Sequence, residues 1–118
     1  MTHERDTGRI QRLTPREVAG LIETAARTHQ PLALVDVREP QEYAGGHLPG
    51  SLHIPLGTLE ERLDEIPRDR AVVFICRSGG RSMSACQIAL AAGIPSPSNL
   101  EGGLRAWAQE VDPALVVL

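Results

Sequence analysis

Of the two cysteines in this 118-residue chain, Cys76 stands where a thiol has chemistry to do. It closes the apolar run Ala71-Val72-Val73-Phe74-Ile75 and opens Arg77-Ser78-Gly79-Gly80-Arg81-Ser82. The run has the length and branched side chains of a buried strand, and a helix is expected to start at Gly80 or Arg81. A thiol at that junction faces the unpaired N–H groups and the positive end of the helix dipole. Glycines at 79 and 80 remove bulk and let main-chain N–H groups turn inward as an anion nest. The helix terminus, Arg77 and Arg81 all favour ionised sulfur, so Cys76 is expected to be largely thiolate near neutral pH. An isolated cysteine at a strand end is ordinarily a small packing residue. The Gly-Gly turn and the immediate helix start shift the reading to a nucleophile or anion site. Cys86 keeps the packing reading, lying between Ala85 and the run Ile88-Ala89-Leu90.

The elements that must position this loop follow from caps and periodicity. Thr14-Pro15-Arg16-Glu17 is a capping box with proline at the first helical position. Val18, Leu21, Ile22 and Ala25 continue it at helical spacing to about His29. Leu32 to Val37 is a near-continuous apolar run, which suits a parallel strand covered on both faces. A short helical turn is expected over Gln41 to Ala44, and a short strand over Ser51 to Ile54. Thr58-Leu59-Glu60-Glu61 reads as a second capping box opening a helix that Pro67 ends. After the helix next to Cys76, Gly93 is placed as its stop, Ser98 to Leu100 as one more strand, and Leu104 to Gln109 as a last helix. Strands alternating with helices favour one small α/β domain with a mainly parallel sheet. The expected domain covers 13–118, with 1–12 a flexible polar segment.

Composition narrows the function classes. Twelve basic and fifteen acidic residues give a net charge of −3, against non-specific binding of nucleic acid. The only aromatics are Tyr43, Phe74 and Trp107, too few for a base-stacking platform. Two cysteines make no disulfide scaffold, no Cys-x-x-Cys occurs, and His3, His29, His47 and His53 show no zinc spacing with them. No apolar segment has the length of a membrane span, and the chain reads as a cytoplasmic protein.

Four blocks now resemble a known family. Cys76-Arg77-Ser78-Gly79-Gly80-Arg81-Ser82 is similar to the active-site loop of single-domain rhodaneses, the thiosulfate sulfurtransferases and related persulfide carriers. Asp36-Val37-Arg38-Glu39-Pro40-Gln41-Glu42-Tyr43 resembles the family's first signature. Gly46-His47-Leu48-Pro49-Gly50-Ser51 with Ile54-Pro55 resembles the second, and Glu101-Gly102-Gly103-Leu104-Arg105-Ala106-Trp107 the closing one. The blocks stand in family order over roughly residues 14 to 112, and are far more specific together than singly.

The resemblance implies a rhodanese-like three-layer α/β/α domain with a central, mostly parallel five-stranded sheet. It implies that Cys76 takes a sulfane sulfur from a small anionic donor such as thiosulfate and passes it on from a cysteine persulfide. The acceptor is cyanide or a thiol, a protein thiol included, and the cycle needs neither metal nor organic cofactor. Main-chain N–H groups from Arg77 to Ser82 are expected to hold the sulfur anion. Arg77 and Arg81 are candidates for the donor's oxyanion, or else point to solvent. Ser78 and Ser82 offer hydroxyl hydrogen bonds, unless Ser82 serves its own helix turn. Asp36 and Arg38 are expected to support the site wall, with Arg38 paired to Glu42. His47 is expected to fix its loop rather than act as a base, and Trp107 to anchor the last helix.

Three rivals remain beside this reading. A dual-specificity-type phosphatase has five residues between cysteine and arginine, whereas Cys76 and Arg81 are separated by four. A non-catalytic regulatory module loses its support because the cysteine is present. A dedicated persulfide relay to a partner in cofactor or tRNA sulfuration stays open; Val111-Asp112-Pro113 is similar to the end of rhodanese domains attached to cofactor-sulfuration enzymes.

Overall fold

The computed structural model describes residues 9–118. Strand β1 is Gln11–Leu13, and Thr14 then caps helix α1, Pro15–Thr28. The capping box is complete: Glu17 N–H donates to the Thr14 hydroxyl at 3.2 Å, and Thr14 N–H to the Glu17 carboxylate at 2.8 Å. Strand β2, Leu32–Asp36, is followed by helix α2, Pro40–Gly45, and the short strand β3, Leu52–His53. Strand β4 is Ala71–Ile75, helix α3 Gly80–Ala91, strand β5 Ser98–Leu100 and helix α4 Gly103–Glu110.

The five strands form one sheet in the order β1-β5-β4-β2-β3, and every neighbouring pair is parallel. Side-chain alternation sorts the core onto its two faces. Ala33, Val35, Val72, Phe74 and Cys76 pack with Ala85, Cys86 and Ala89 of α3 and with Leu59 and Ile66. Leu34, Val73 and Ile75 pack with Val18 of α1 and with Leu104 and Trp107 of α4. The three-layer α/β/α arrangement is therefore a direct product of period-two strands. The same alternation puts Cys76 on the face that α3 covers. Between β2 and β4 the chain switches from building one side of the sheet to building the other, which is where open α/β sheets form a crevice at their carboxyl ends. Asp36 and Ile75 are register partners there, and Cys76 follows at once.

Two elements differ from expectation. Gln11 and Arg12 belong to β1, which pairs with β5; the rest of the segment expected to be flexible lies outside the described residues up to position 8. The second capping box opens no α-helix. Leu56–Thr58 and Glu60–Glu65 are 3-10 turns, with Arg62 off helical geometry at φ −118° and ψ 17°. Thr58 already lies inside the first turn, and its hydroxyl donates backward to the Pro55 carbonyl at 2.9 Å, so it cannot cap the second turn.

Candidate active site

The loop 76–79 joins the end of β4 to the start of α3 and wraps around the Cys76 sulfur. Gly79 N–H donates to Sγ at 3.0 Å and Ser82 N–H at 3.3 Å. Ser82 Oγ lies 3.2 Å from the same sulfur. The first four N–H groups of a helix, counting its N-cap, have no partner inside it. In α3 these belong to Gly79, Gly80, Arg81 and Ser82; the outer two serve the sulfur, and the inner two have no intrahelical bond. Gly79 adopts φ +105°, a left-handed conformation that lets its N–H turn back toward Sγ. Cys76 is 1% exposed, whereas Ser78 and Gly80 are exposed and form the rim.

The closing signature holds this loop from behind. Leu104 N–H donates to the Cys76 carbonyl at 2.9 Å, and Arg105 N–H to the Arg77 carbonyl at 3.0 Å. These are first-turn amides of α4, which also lack intrahelical partners. With its carbonyls drawn toward α4, the loop is free to direct N–H groups at the sulfur. Gly103 makes the contact possible: a Cβ there would lie 2.5 Å from the Ser78 nitrogen, and its φ is +63°.

The arginines take specific partners. Arg81 grips Glu42 of α2 with two bonds, 2.7 and 2.9 Å. This pair pulls the Glu42 carboxyl from its ordinary 4.5 down to about 2, and burial opposes the effect without overcoming it. Glu42 also accepts from the Glu39 N–H at 2.9 Å, which fixes the entry to α2. Arg77 Nε donates to the Leu118 main-chain oxygen at 2.7 Å, tying the loop to the end of the chain. Each arginine thus spans the site to another segment.

Arg38 does not pair with Glu42, as the spacing suggested. Its Nε and Nη2 bind the Asp36 carboxylate at 3.0 and 2.8 Å, and Nη2 also donates to the Gly46 carbonyl at 2.7 Å. Arg38 and Asp36 are both buried, a pairing that keeps either charge tolerable there. The physical reason is position. Arg38 precedes α2, whose N-cap is Glu39, so the helical i,i+4 relation to Glu42 never forms. Arg38 Nη1 is the one buried side-chain nitrogen or oxygen without a partner among the described residues.

The second signature builds the adjoining wall. Tyr43 stacks on His47 at 3.7 Å and on His53 at 4.3 Å between ring centres, and its hydroxyl donates to the Ser51 carbonyl at 2.6 Å. His47 Nδ1–H donates to the Tyr43 carbonyl at 2.7 Å, the loop-fixing role expected of it. His53 Nε2–H donates to the Arg38 carbonyl at 2.8 Å.

No signal in the sequence pointed to Asn99, or to a role for Glu101 beside it. Ser82 donates its hydroxyl proton to Asn99 Oδ1, and Asn99 Nδ2 donates to the Glu101 carboxylate at 2.7 Å and the Gly79 carbonyl at 3.3 Å. Cys86 is buried and unpaired, and burial pushes its thiol up to about 12, so it stays neutral and unreactive at ordinary pH. Among the described residues no group of three or more His, Cys, Asp or Glu could hold a metal ion, and no helix is long and apolar enough to cross a membrane.

Known proteins share this sequence pattern and this fold. A sulfurtransferase of Allochromatium vinosum is 46% identical over 76 residues, 64% of this chain and 71% of that protein. The solved rhodanese-like domain protein from Staphylococcus aureus superimposes with a TM-score of 0.74 at 28% identity, covering 92% of this chain and 99% of that one. The reduced CoADR-RHD of Bacillus anthracis gives a TM-score of 0.78 at 28% identity, over 91% of this chain but only 18% of that much longer one. The model of the rhodanese-like domain matches residues 14–110, from the cap of α1 through the end of α4, and the chain belongs to the single-domain rhodanese family of sulfurtransferases.

Proposed function

We propose that this protein is a sulfurtransferase that carries sulfur as a Cys76 persulfide, with thiosulfate or a similar small sulfane donor as source. The observation that carries the reading is the pair of main-chain donors on Sγ, Gly79 N–H and Ser82 N–H within 3.3 Å, with the Ser82 hydroxyl oxygen beside them at 3.2 Å. Such a pair stabilises sulfur that gains negative charge and needs no separate base.

The Cys76 thiolate attacks the outer sulfur of the donor. The new Sγ–S bond forms as the donor's S–S bond breaks, and sulfite leaves with the bonding electron pair. Negative charge then rests on the outer sulfur of the persulfide. The N–H groups of Gly80 and Arg81, which have no partner inside α3, are the donors left to hold it in the electrostatic field of the helix terminus. Ser78 and Gly80 form the rim that the donor crosses. An acceptor thiolate or cyanide attacks the outer sulfur, and Cys76 leaves as thiolate, which closes the cycle. Asp36 and Arg38 tie the end of β2 to the Gly46 carbonyl at the end of α2. Two unpaired cysteines fit a reducing compartment such as the cytoplasm.

Intact mass after incubation with thiosulfate tests this reading. The expected gain is one sulfur, about 32 Da for the covalent intermediate, absent in Cys76→Ser. No gain with thiosulfate, polysulfide or glutathione persulfide would sink it. Loading by a persulfide but not by thiosulfate would favour the relay to a protein acceptor over the thiosulfate enzyme.

A further inference from the structure

The buried chain Cys76–Ser82–Asn99–Glu101 constrains where each proton sits. Asn99 is 2% exposed, so its amide must find partners inside the protein. On one side stand the Glu101 carboxylate and the Gly79 carbonyl, both acceptors. The NH2 group must face them, and Oδ1 therefore faces Ser82. The Ser82 hydroxyl has one proton, and it goes to Oδ1. At the 3.2 Å contact between Ser82 Oγ and Cys76 Sγ, only the sulfur can then donate. This arrangement fits a thiol.

For the thiolate the demand reverses. Ionised Sγ has no proton to give and three directions from which to accept. Gly79 and Ser82 N–H groups supply two in either state. The Ser82 hydroxyl can supply the third only by rotating away from Asn99, which strands Oδ1 as a buried acceptor. We propose that Asn99 is a positioning residue that restrains ionisation of Cys76 by claiming the Ser82 hydroxyl proton, with Glu101 fixing the direction in which Asn99 accepts. The thiol proton itself leaves to solvent buffer. Unloaded protein is thereby kept less reactive toward alkylating and oxidising agents than its ring of N–H groups alone would make it. The persulfide escapes the restraint, because its charge lies one atom further out, on the outer sulfur.

Other charges around the sulfur act in parallel. Arg81 and Cys86 approach from α3, and Glu101 from the turn after β5. Asp36, with its partner Arg38, closes β2, Arg77 adjoins in the loop, and Arg105 lies behind it on α4. An apolar group at residue 99 leaves the arginines and Asp36 in place but removes the donor to the Glu101 carboxylate and the Gly79 carbonyl, an effect present with or without Ser82 that the comparison in Ser82→Ala subtracts. The inference rests on the sulfur-transfer reading for its purpose, but its test does not use sulfur transfer.

The test is the pH profile of iodoacetamide alkylation, read at Cys76 by mass of the peptide, with Cys86 as the unreactive internal reference. Four folded proteins are compared: wild type, Asn99→Leu, Ser82→Ala and the double variant. Asn99→Leu is expected to move the midpoint down by about one pH unit, which raises the alkylation rate below the midpoint about tenfold. The same substitution in Ser82→Ala is expected to move it far less, because the hydroxyl through which Asn99 acts is gone. An unmoved midpoint in Asn99→Leu, or an equal shift with and without Ser82, overturns the proposal. Asn99→Ala serves in the same comparison if the leucine variant does not fold. Failure of Cys76 to load with sulfur, alongside the expected shift, would remove the proposed function and leave the restraint on the thiol standing.

Discussion

The main-chain N–H of Arg105 donates to the main-chain carbonyl of Arg77 at 3.0 Å, so the start of α4 grips the loop that carries the thiol. The grip is close because Gly103 has no side chain. Gly103→Ala places a methyl group 2.5 Å from the Ser78 nitrogen and demands φ +63° of an L-residue. The expected cost is at least about 2 kcal/mol of stability. Sulfur loading should fall further than the loss of folded protein explains, since the loop must move outward. Chemical denaturation and loading measured on the same samples separate the two effects, and normal loading per folded molecule would show that the loop does not depend on α4.

The Arg81–Glu42 pair predicts a specific acid sensitivity. The Glu42 carboxyl is lowered in the folded state to about 2, chiefly by its hydrogen bonds from Arg81. The pair therefore contributes its full stability above about 4.5 and loses it as pH falls through about 2. The Arg81 side chain is 36% exposed, so screening leaves about 1 kcal/mol rather than the whole shift. Glu42→Gln should be less stable than wild type by that amount at pH 7, with the gap shrinking as pH falls toward 2 and closing below it. A stability gap that stays constant between those limits would assign the pair no role.

Arg38→Ala should be far more damaging than any change at Arg81. It leaves the buried Asp36 carboxylate without its counter-charge and the Gly46 carbonyl without a donor. The expected loss is about 3–5 kcal/mol. Arg38→Lys should recover only part of it, because an ammonium cannot reproduce the two-pronged contact with Asp36. Equal stability of the lysine variant and wild type in urea titrations would mean that charge alone matters at this position.

Cys86→Ser exchanges a buried, neutral thiol for a hydroxyl with no partner in the core. About 1–3 kcal/mol of stability should be lost. Sulfur loading per folded molecule should be unchanged, and a loss of loading would give Cys86 a part in the reaction.

Locally encoded features of this fold were readable from the chain, and features made only by tertiary contact were not. Thr14 with Glu17 announced α1, and the apolar runs at 32–37 and 71–75 announced the buried central strands. β1 was silent because Gln11-Arg12-Leu13 is a polar edge strand with little side chain to bury. Thr58 and Glu61 repeat the pattern of Thr14 and Glu17, yet the turn begun at Leu56 took Thr58 out of the extended conformation that a cap requires. At the site, Cys76 and its glycines were legible because a strand end, a turn and a helix start are adjacent in sequence. The partner of Arg81 lies 39 residues away, and no spacing rule reaches that far. Asn99 was hidden for the same reason: within β5 it is one polar residue in a short strand, and only the packing of β5 beside α3 brings it to Ser82.

The outer strands of the sheet have a consequence for the protein in concentrated solution. β1 is three residues long and polar, and β3 is two residues long and is followed within two positions by Pro55. Neither edge offers a long ladder of free N–H and carbonyl groups to a neighbouring molecule, and the apolar strands β2 and β4 lie inside. Short, polar or proline-stopped edges are how β-proteins avoid templating one another into fibres. The sequences most prone to aggregate in this chain, 32–37 and 71–75, are therefore sheltered as long as the sheet is closed on both sides, and its colloidal behaviour should follow its unfolding.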